Sequence, residues 1–393
     1  MYPTPMQHDA LLEQCGQARY VWNLALEQWS MWTRDNGATP GFAEQCRQLT
    51  KARAVFGWLR AGSQTVQQQA LRDFDQAVRS FQRGTHRRPS WRKAGLREGF
   101  RIVGSQASKT VKLNRKWAVV NIPKVGWVRL RVSRAIPAAK SYRVTLDHAG
   151  RWHLAFAVVP DPLPPPGTGQ VVGVDRGITV SAALSTGELL TCPGPSEIEQ
   201  RRLRQLHRRL SRSCQGSGRG QRVKAAIARL YARSSDRRKN WVERTSTDLA
   251  RRFDIIRVED LRIAQMTARP KPKADPGRPG RYLPNRQRAK AGLNRGVLSN
   301  GWGLLVQRLE HKAPGRVEKV NPAYTSRTCS VCGHCARENR KSQAVFRCVS
   351  CGHQANADVN AAVNIAAGRA VSARGETPER VSSKREPQHA TSA

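Results

Sequence analysis

Along residues 11–29 the apolar side chains Leu11, Leu12, Cys15, Ala18, Val21, Trp22, Ala25, Leu26 and Trp29 recur at steps of three and four, which predicts a helix with one buried face. Its start is written just upstream: Thr4 can cap, Pro5 suits the first helical position, and Gln7 stands where a capping box closes. Residues 40–85 keep helical composition, so residues 1–85 read as a small helical module within a first region of residues 1–95. From about Gly99 the period changes to two. Val128, Leu130 and Val132 alternate with Arg129 and Arg131, Tyr142, Val144 and Leu146 with Arg143 and Thr145, and Trp152, Leu154 and Phe156 follow the turn residues His148-Ala149-Gly150. Residues 96–162 are therefore expected to form a small antiparallel barrel or sheet, closed by the Pro-rich linker DPLPPPGTGQ at 161–170.

Beyond the linker, VVGVDRGITVSAALSTGE reads as a buried strand, a tight turn and a second strand. Residues 197–252 carry Leu203, Leu206 and Leu210, then Val223, Ile227 and Leu230, at helical spacing around a Gly/Ser break, which predicts a helical hairpin. DIIRVEDL, 254–261, reads as a strand ending in two carboxylates. Residues 263–300 hold nine basic residues, one acid and five prolines, the composition of a flexible loop, and residues 368–393 that of a disordered tail.

Charge narrows the partners. With 69 Lys and Arg against 28 Asp and Glu, the net charge is +41, which calls for a polyanion. No apolar run approaches the ~20 residues needed to span a bilayer, so nucleic acid is expected rather than membrane. The first residues show no secretory signal pattern, and a cytoplasmic, nucleoid-associated location is expected. Five of the nine cysteines crowd between Cys329 and Cys351, which fits metal binding in a reducing compartment.

Cys329-x2-Cys332 and Cys348-x2-Cys351, fifteen residues apart, have the spacing of a tetrahedral zinc ribbon. Four thiolates leave no open coordination position, so the expected Zn2+ is structural; His334, Cys335 and His353 lie nearby and are not needed. Three acids stand out in a chain poor in acid: Asp175 and Glu259 at strand ends, and Asp358 opening the helical run ADVNAAVNIAA. Together they have the chemistry to hold divalent cations such as Mg2+ against a phosphate. Taken singly, each has a plainer reading: Asp175 as a turn residue, Glu259 with Asp260 as a helix-capping pair, Asp358 as an N-cap.

GVDRG at 173–177, RVEDL at 257–261, YTSRTCSVCGH at 324–334 and CVSCGHQANADVNAAVNIA at 348–366 resemble, in order, the nuclease motifs and zinc ribbon of the TnpB (OrfB) family. Those are transposon-encoded RNA-guided DNA endonucleases similar to compact type V CRISPR effectors. Upstream, YPTPMQHDALLEQCGQARYVWNLAL and GWVRLRVSRAIP resemble the family's helix-turn-helix-like region and wedge barrel. The resemblance implies a multidomain α+β protein. Its helical lobe and wedge barrel would precede an RNase H-like (RuvC-type) α/β nuclease at 170–322 and 355–367, with a zinc ribbon at 323–354. It implies Asp175, Glu259 and Asp358 as a catalytic, Mg2+-binding triad, Cys329, Cys332, Cys348 and Cys351 as zinc ligands, and a guide RNA and target DNA as partners. Arg327, just before the ribbon, is a further candidate for steadying the scissile phosphate, with a structural or backbone-contacting role as its plainer reading.

Family members usually open with a strand running into the YPTP segment, whereas here Met1 directly precedes Tyr2, so either the start has been placed too late or an edge strand of the wedge is missing. Two rival functions share these features: an RNA-using DNA binder that does not cut, and a strand-transferring transposase.

Overall fold

The computed structural model describes residues 1–31, 39–278 and 280–368. The tail expected to be disordered, apart from its first residue, lies outside the described residues. By contact the chain divides into two units, one of residues 1–160 with 201–232 and one of the remainder.

The first unit begins with α1 (Pro5–Ser30), whose Thr4 side chain accepts from the Gln7 N–H while the Gln7 side chain reaches back to the cap backbone. Leu11, Cys15, Ala18, Val21, Trp22, Ala25 and Leu26 are buried, the face that the spacing predicts. Helices α2 (Phe42–Val55), α3 (Gly57–Ala61) and α4 (Gln64–Gln82) follow, and α4 packs on α1. Two three-stranded antiparallel sheets share this core. One is ordered β1 (Gly99–Val103), β5 (Ser141–Leu146), β6 (Trp152–Phe156); the other is β2 (Thr110–Lys112), β3 (Trp117–Ile122), β4 (Gly126–Arg131). Val128 and Leu130 point inward and Arg129 and Arg131 outward, the alternation legible in the sequence. Tyr2 makes a single antiparallel bridge to Arg129. Beside these sheets lies a cleft of about 1040 Å3 whose wall includes Lys112, Arg115, Arg134 and Lys140.

The second unit is built on a five-stranded mixed sheet. Its strands are β7 (Val171–Asp175), β8 (Ala182–Leu184), β9 (Leu189–Leu190), β10 (Ile255–Glu259) and β13 (Val317–Val320), in spatial order β13-β10-β7-β8-β9. The first three in that order are parallel, and β8 and β9 are antiparallel to their neighbours. Between β9 and β10 the chain runs through basic helices α5 (Glu197–Ser211) and α6 (Gly218–Arg252), of which residues 201–232 belong to the first unit. Val172 and Val174 of β7 and Ile256 and Val258 of β10 enter one core with Val242 and Leu249 of α6 and Leu305 and Leu309 of α9 (Trp302–Lys312). Because side chains alternate along a strand, Gly173, Asp175, Arg257 and Glu259 belong to the opposite face.

Residues 263–300 differ from the expected flexible loop. They contain α7 (Ile263–Met266), the short pair β11 (Lys273–Ala274) and β12 (Tyr282–Leu283), and α8 (Gln287–Ser299). The prolines at 270–284 end before α8 begins, so they interrupt only the first part of the segment. Lys290 and Asn294 of α8 donate to the carbonyls of Met266 and Thr267, tying the two ends of the segment together.

Candidate functional site

The face of the sheet opposite the apolar core is covered by α10 (Ala357–Ala366), which packs on β7, β8 and β10. Its approach to β7 is very close. A Cβ on Gly173 would lie 2.0 Å from the Ala362 carbonyl oxygen and 2.4 Å from the Ala366 nitrogen, so only glycine fits there. Arg257, on the same face of β10, donates to the Ala366 carbonyl at the helix C-terminus and pairs with Glu318 at 2.7 Å. The C-terminal turn of α10 thus lies over Gly173 and Arg257, and its N-terminal turn lies toward the carboxyl ends of β7 and β10.

Those ends carry the acids. The parallel register pairs Val174 with Val258, so Asp175 and Glu259 follow at the same level on adjacent strands, on the α10 face. Asp358 sits in the first turn of α10. Burial pushes the Asp175 carboxyl up to about 7, and repulsion from Glu259 and then Asp358 adds to it, while Arg340 and the Arg176 backbone N–H oppose it. Burial raises Glu259 too, with Arg176 and a hydrogen bond from Thr325 acting the other way. The structure therefore brings together the three acids singled out in the sequence.

The plainer readings of Asp358 and Glu259 do not describe them. Asn356, not Asp358, caps α10: its Oδ1 accepts from the backbone N–H groups of Asp358 at 3.0 Å and Val359 at 3.2 Å, so the Asp358 carboxylate is not the cap. Helix α7, which follows Glu259 and Asp260, has no side-chain cap hydrogen bond.

Two arginines reach this cluster. Arg176 is 5% exposed and donates to the Glu259 carbonyl. Arg340 pairs with Asp358 at 3.1 Å and also donates to the Gln343 carbonyl. Arg327, the candidate offered by the sequence, is held through its backbone: its N–H donates to the Tyr324 carbonyl and its carbonyl accepts from Asn339. Nothing near Arg340 marks it in the sequence; it lies between the two cysteine pairs, and only the fold carries it to Asp358.

The four cysteines converge. Their sulfurs all lie within 4.8 Å of one another, with Cys329–Cys351 at 3.7 Å and Cys332–Cys348 at 3.6 Å. Zn–S bonds of about 2.3 Å in a tetrahedron require S···S edges of about 3.8 Å, so the cluster has the size of a zinc site rather than of a disulfide. The two halves repeat one geometry. Gly333 donates to the Cys329 carbonyl and Gly352 to that of Cys348, and these glycines take φ of 76° and 73°, where other residues are strained. Hairpin β14 (Val345–Arg347) and β15 (Gln354–Asn356) carries the second pair, and β15 runs straight into α10. Zn2+ fits this donor set. The oxygen-rich, undercompensated acid cluster fits hard divalent cations instead.

Among the described residues no helix is long and apolar enough to cross a membrane. Three family models match the chain: a helix-turn-helix domain of the OrfB type over residues 1–37, a probable transposase of the OrfB type over 153–269, and a Cas12f1-like TNB domain over 302–365. The chain is 35% identical over 329 residues to a putative RNA-guided DNA endonuclease, InsQ, of Escherichia coli strain K12, covering 81% of this chain and 78% of that protein. It is 29% identical over 409 residues to a putative RNA-guided DNA endonuclease of Streptomyces pristinaespiralis, covering 99% and 95%. A cryo-EM structure of a Cas12f1–sgRNA–target DNA complex shares the fold with a TM-score of 0.54 at 13% identity, over 90% of this chain and 81% of that one.

Proposed function

We propose that this chain, which belongs to the TnpB (OrfB) family, is a transposon-encoded, RNA-guided and metal-dependent DNA endonuclease. One observation carries the catalytic part of the reading: three carboxylates, on two adjacent parallel strands and one covering helix, lie close enough that burial and mutual repulsion push the Asp175 carboxyl up to about 7. Such crowding of like charge is costly for a fold and is relieved by cations.

Asp175, between the other two acids electrostatically, would be the shared cation ligand, with Glu259 and Asp358 completing the oxygen donors. Bound Mg2+ would supply Lewis-acid polarisation of the phosphodiester and activation of an attacking water. Arg340 orients Asp358 and brings a guanidinium to the edge of the pocket, where it can meet a phosphate oxygen. Zinc, held by Cys329, Cys332, Cys348 and Cys351, would be structural, since four thiolates close its shell. We read the sheet of the second unit with α10 as an RNase H-like, RuvC-type nuclease, spanning 170–322 and 355–367, with the zinc ribbon at 323–354.

The helical region 1–95 and the wedge barrel 96–162 would grip guide RNA, with the basic cleft lined by Lys112, Arg115, Arg134 and Lys140 as one contact surface. Base pairing would then supply sequence, and the protein would read backbone and shape.

The test is to purify the protein from cells carrying its own locus, sequence the RNA that accompanies it, and assay cleavage of DNA matching that RNA. Breaks that move with the guide, and vanish in Asp175→Asn with RNA still bound, are expected. Strand-transfer products, or guide-directed occupancy by the parent protein without breaks, would overturn the reading.

A further inference from the structure

The segment between β13 and the first cysteine pair contains a chain of buried hydrogen bonds that the catalytic reading does not use. Thr325, Asn360 and Asn364 are each at most 2% exposed. Asn364 Nδ2 donates to the carbonyls of Thr325 at 2.9 Å and Thr328 at 2.8 Å. One helical turn earlier, Asn360 Nδ2 donates to the same Thr328 carbonyl at 2.8 Å, and its Oδ1 accepts from the Ser330 N–H at 3.0 Å. Two asparagines four residues apart share one face of α10, so together they clamp the 325–330 segment along the helix that bears Asp358.

The far end of this chain is the acid pocket. Thr325 Oγ1 lies 3.2 Å from Glu259 Oε1 and equally far from the Pro322 carbonyl. A hydroxyl has one proton to give, and an ionised carboxylate is the stronger acceptor of the two. The hydroxyl also sits on a backbone that cannot drift, because its own carbonyl is held by Asn364. A continuous path therefore runs from the helix of Asp358, through Asn364 and Thr325, to the carboxylate of Glu259.

We propose that Thr325 is a positioning residue for Glu259, and that the Asn360–Asn364 clamp makes the segment leading into the zinc ribbon a structural part of the cation pocket. This rests on the reading of Glu259 as a cation ligand. The hydroxyl fixes which Glu259 oxygen is free for a cation, and the clamp sets the distance between Glu259 and Asp358. Replacing the hydroxyl by a methyl of the same shape should leave packing intact and the carboxylate free to rotate.

The experiment uses the full chain with its co-purified RNA and bound zinc, and titrates Mn2+ by electron paramagnetic resonance of the free ion. Zinc content and melting temperature are measured alongside. Thr325→Val is expected to weaken Mn2+ binding about tenfold while keeping its zinc, and Thr325→Ser, which restores the hydroxyl, to bind within about threefold of the parent. In a Glu259→Gln background Thr325→Val should cause no further loss, since the group it positions is already gone. Should the valine variant lose zinc, Thr325→Cys, with a weak donor in place of a strong one, gives the same comparison. The proposal is overturned if the Val or Cys variant binds Mn2+ like the parent, if Ser is as weak as Val, or if the loss persists in full beside Glu259→Gln. Parent-like Mn2+ binding by Glu259→Gln itself would instead remove the ligand assignment on which the proposal stands.

Discussion

Neutralising Asp175 should stabilise the metal-free fold while abolishing its activity. Burial and the neighbouring acids raise this carboxyl from 3.8 to about 7. The folded state therefore prefers the protonated form, by about 3 units or roughly 4 kcal/mol at 1.36 kcal/mol per unit. For a group whose folded pKa is raised, the charged form is the destabilising one: no penalty exists below the unfolded pKa, and it is complete above the folded one. Asp175→Asn removes that penalty. Its stabilisation should be about 4 kcal/mol at pH 8, about 1.5 kcal/mol at pH 5, and near zero below pH 4. At 2–4 °C per kcal/mol for a unit of this size, the melting temperature should rise on the order of 10 °C at pH 8. Calorimetry of the zinc-loaded protein without Mg2+, at pH 8 and pH 5, measures both values. Adding Mg2+ should raise the melting temperature of the parent and leave that of the variant unchanged. A variant that melts lower than the parent at pH 8, or whose gain is the same at both pH values, would refute the claim that Asp175 is held in an acid-crowded pocket.

Gly173→Ala places a methyl 2.0 Å from a helix carbonyl, so α10 must shift; a loss of about 2–4 kcal/mol by calorimetry, together with cleavage at background, is expected. Cys348→Ser opens the sulfur cluster and should lower bound zinc, read by atomic absorption, to well below one equivalent, with a protease-sensitive site appearing between residues 329 and 356. Arg340→Ala removes the cation paired with Asp358, so Mn2+ affinity should hold or rise while single-turnover cleavage falls at least tenfold. Between pH 6 and 8, Mg2+ affinity of the parent should climb as Asp175 gives up its proton, and in isothermal titration the proton released per ion should fall toward zero above pH 8.

Much of the site was readable because its signals are local. A cysteine pair at fixed spacing and an acid ending an apolar strand need only a few residues of sequence, and Cys329, Cys332, Cys348, Cys351, Asp175, Glu259 and Asp358 were visible in that way. What escaped depends on distant encounters. Arg340 looks like any basic loop residue until β14, β15 and α10 bring it against Asp358. Thr325 and Asn364, 39 residues apart, look like a turn residue and an ordinary helical polar residue until they meet in the interior. Gly173 is legible as a strand glycine, but the helix that forbids any side chain there comes from the far end of the chain. Helix α8 was hidden for a compositional reason. The proline-rich stretch before it carries the loop composition of 263–300, and its cap, Arg286, has a left-handed backbone and no capping side chain.

The direct passage from β15 into α10 has a consequence for how this chain can change. Asn356 is both the last residue of the strand and the cap of the helix, and Cys351 and Asp358 are joined with no slack between them. Each residue added or removed at 354–356 would shift the strand by about 3.3 Å and exchange its two faces, drawing Asp358 away from its partners even if zinc still bound. A point replacement at the exposed Gln354 can be absorbed, whereas a change of length cannot. That short span works as a phase marker, and insertions meant to carry cargo belong elsewhere.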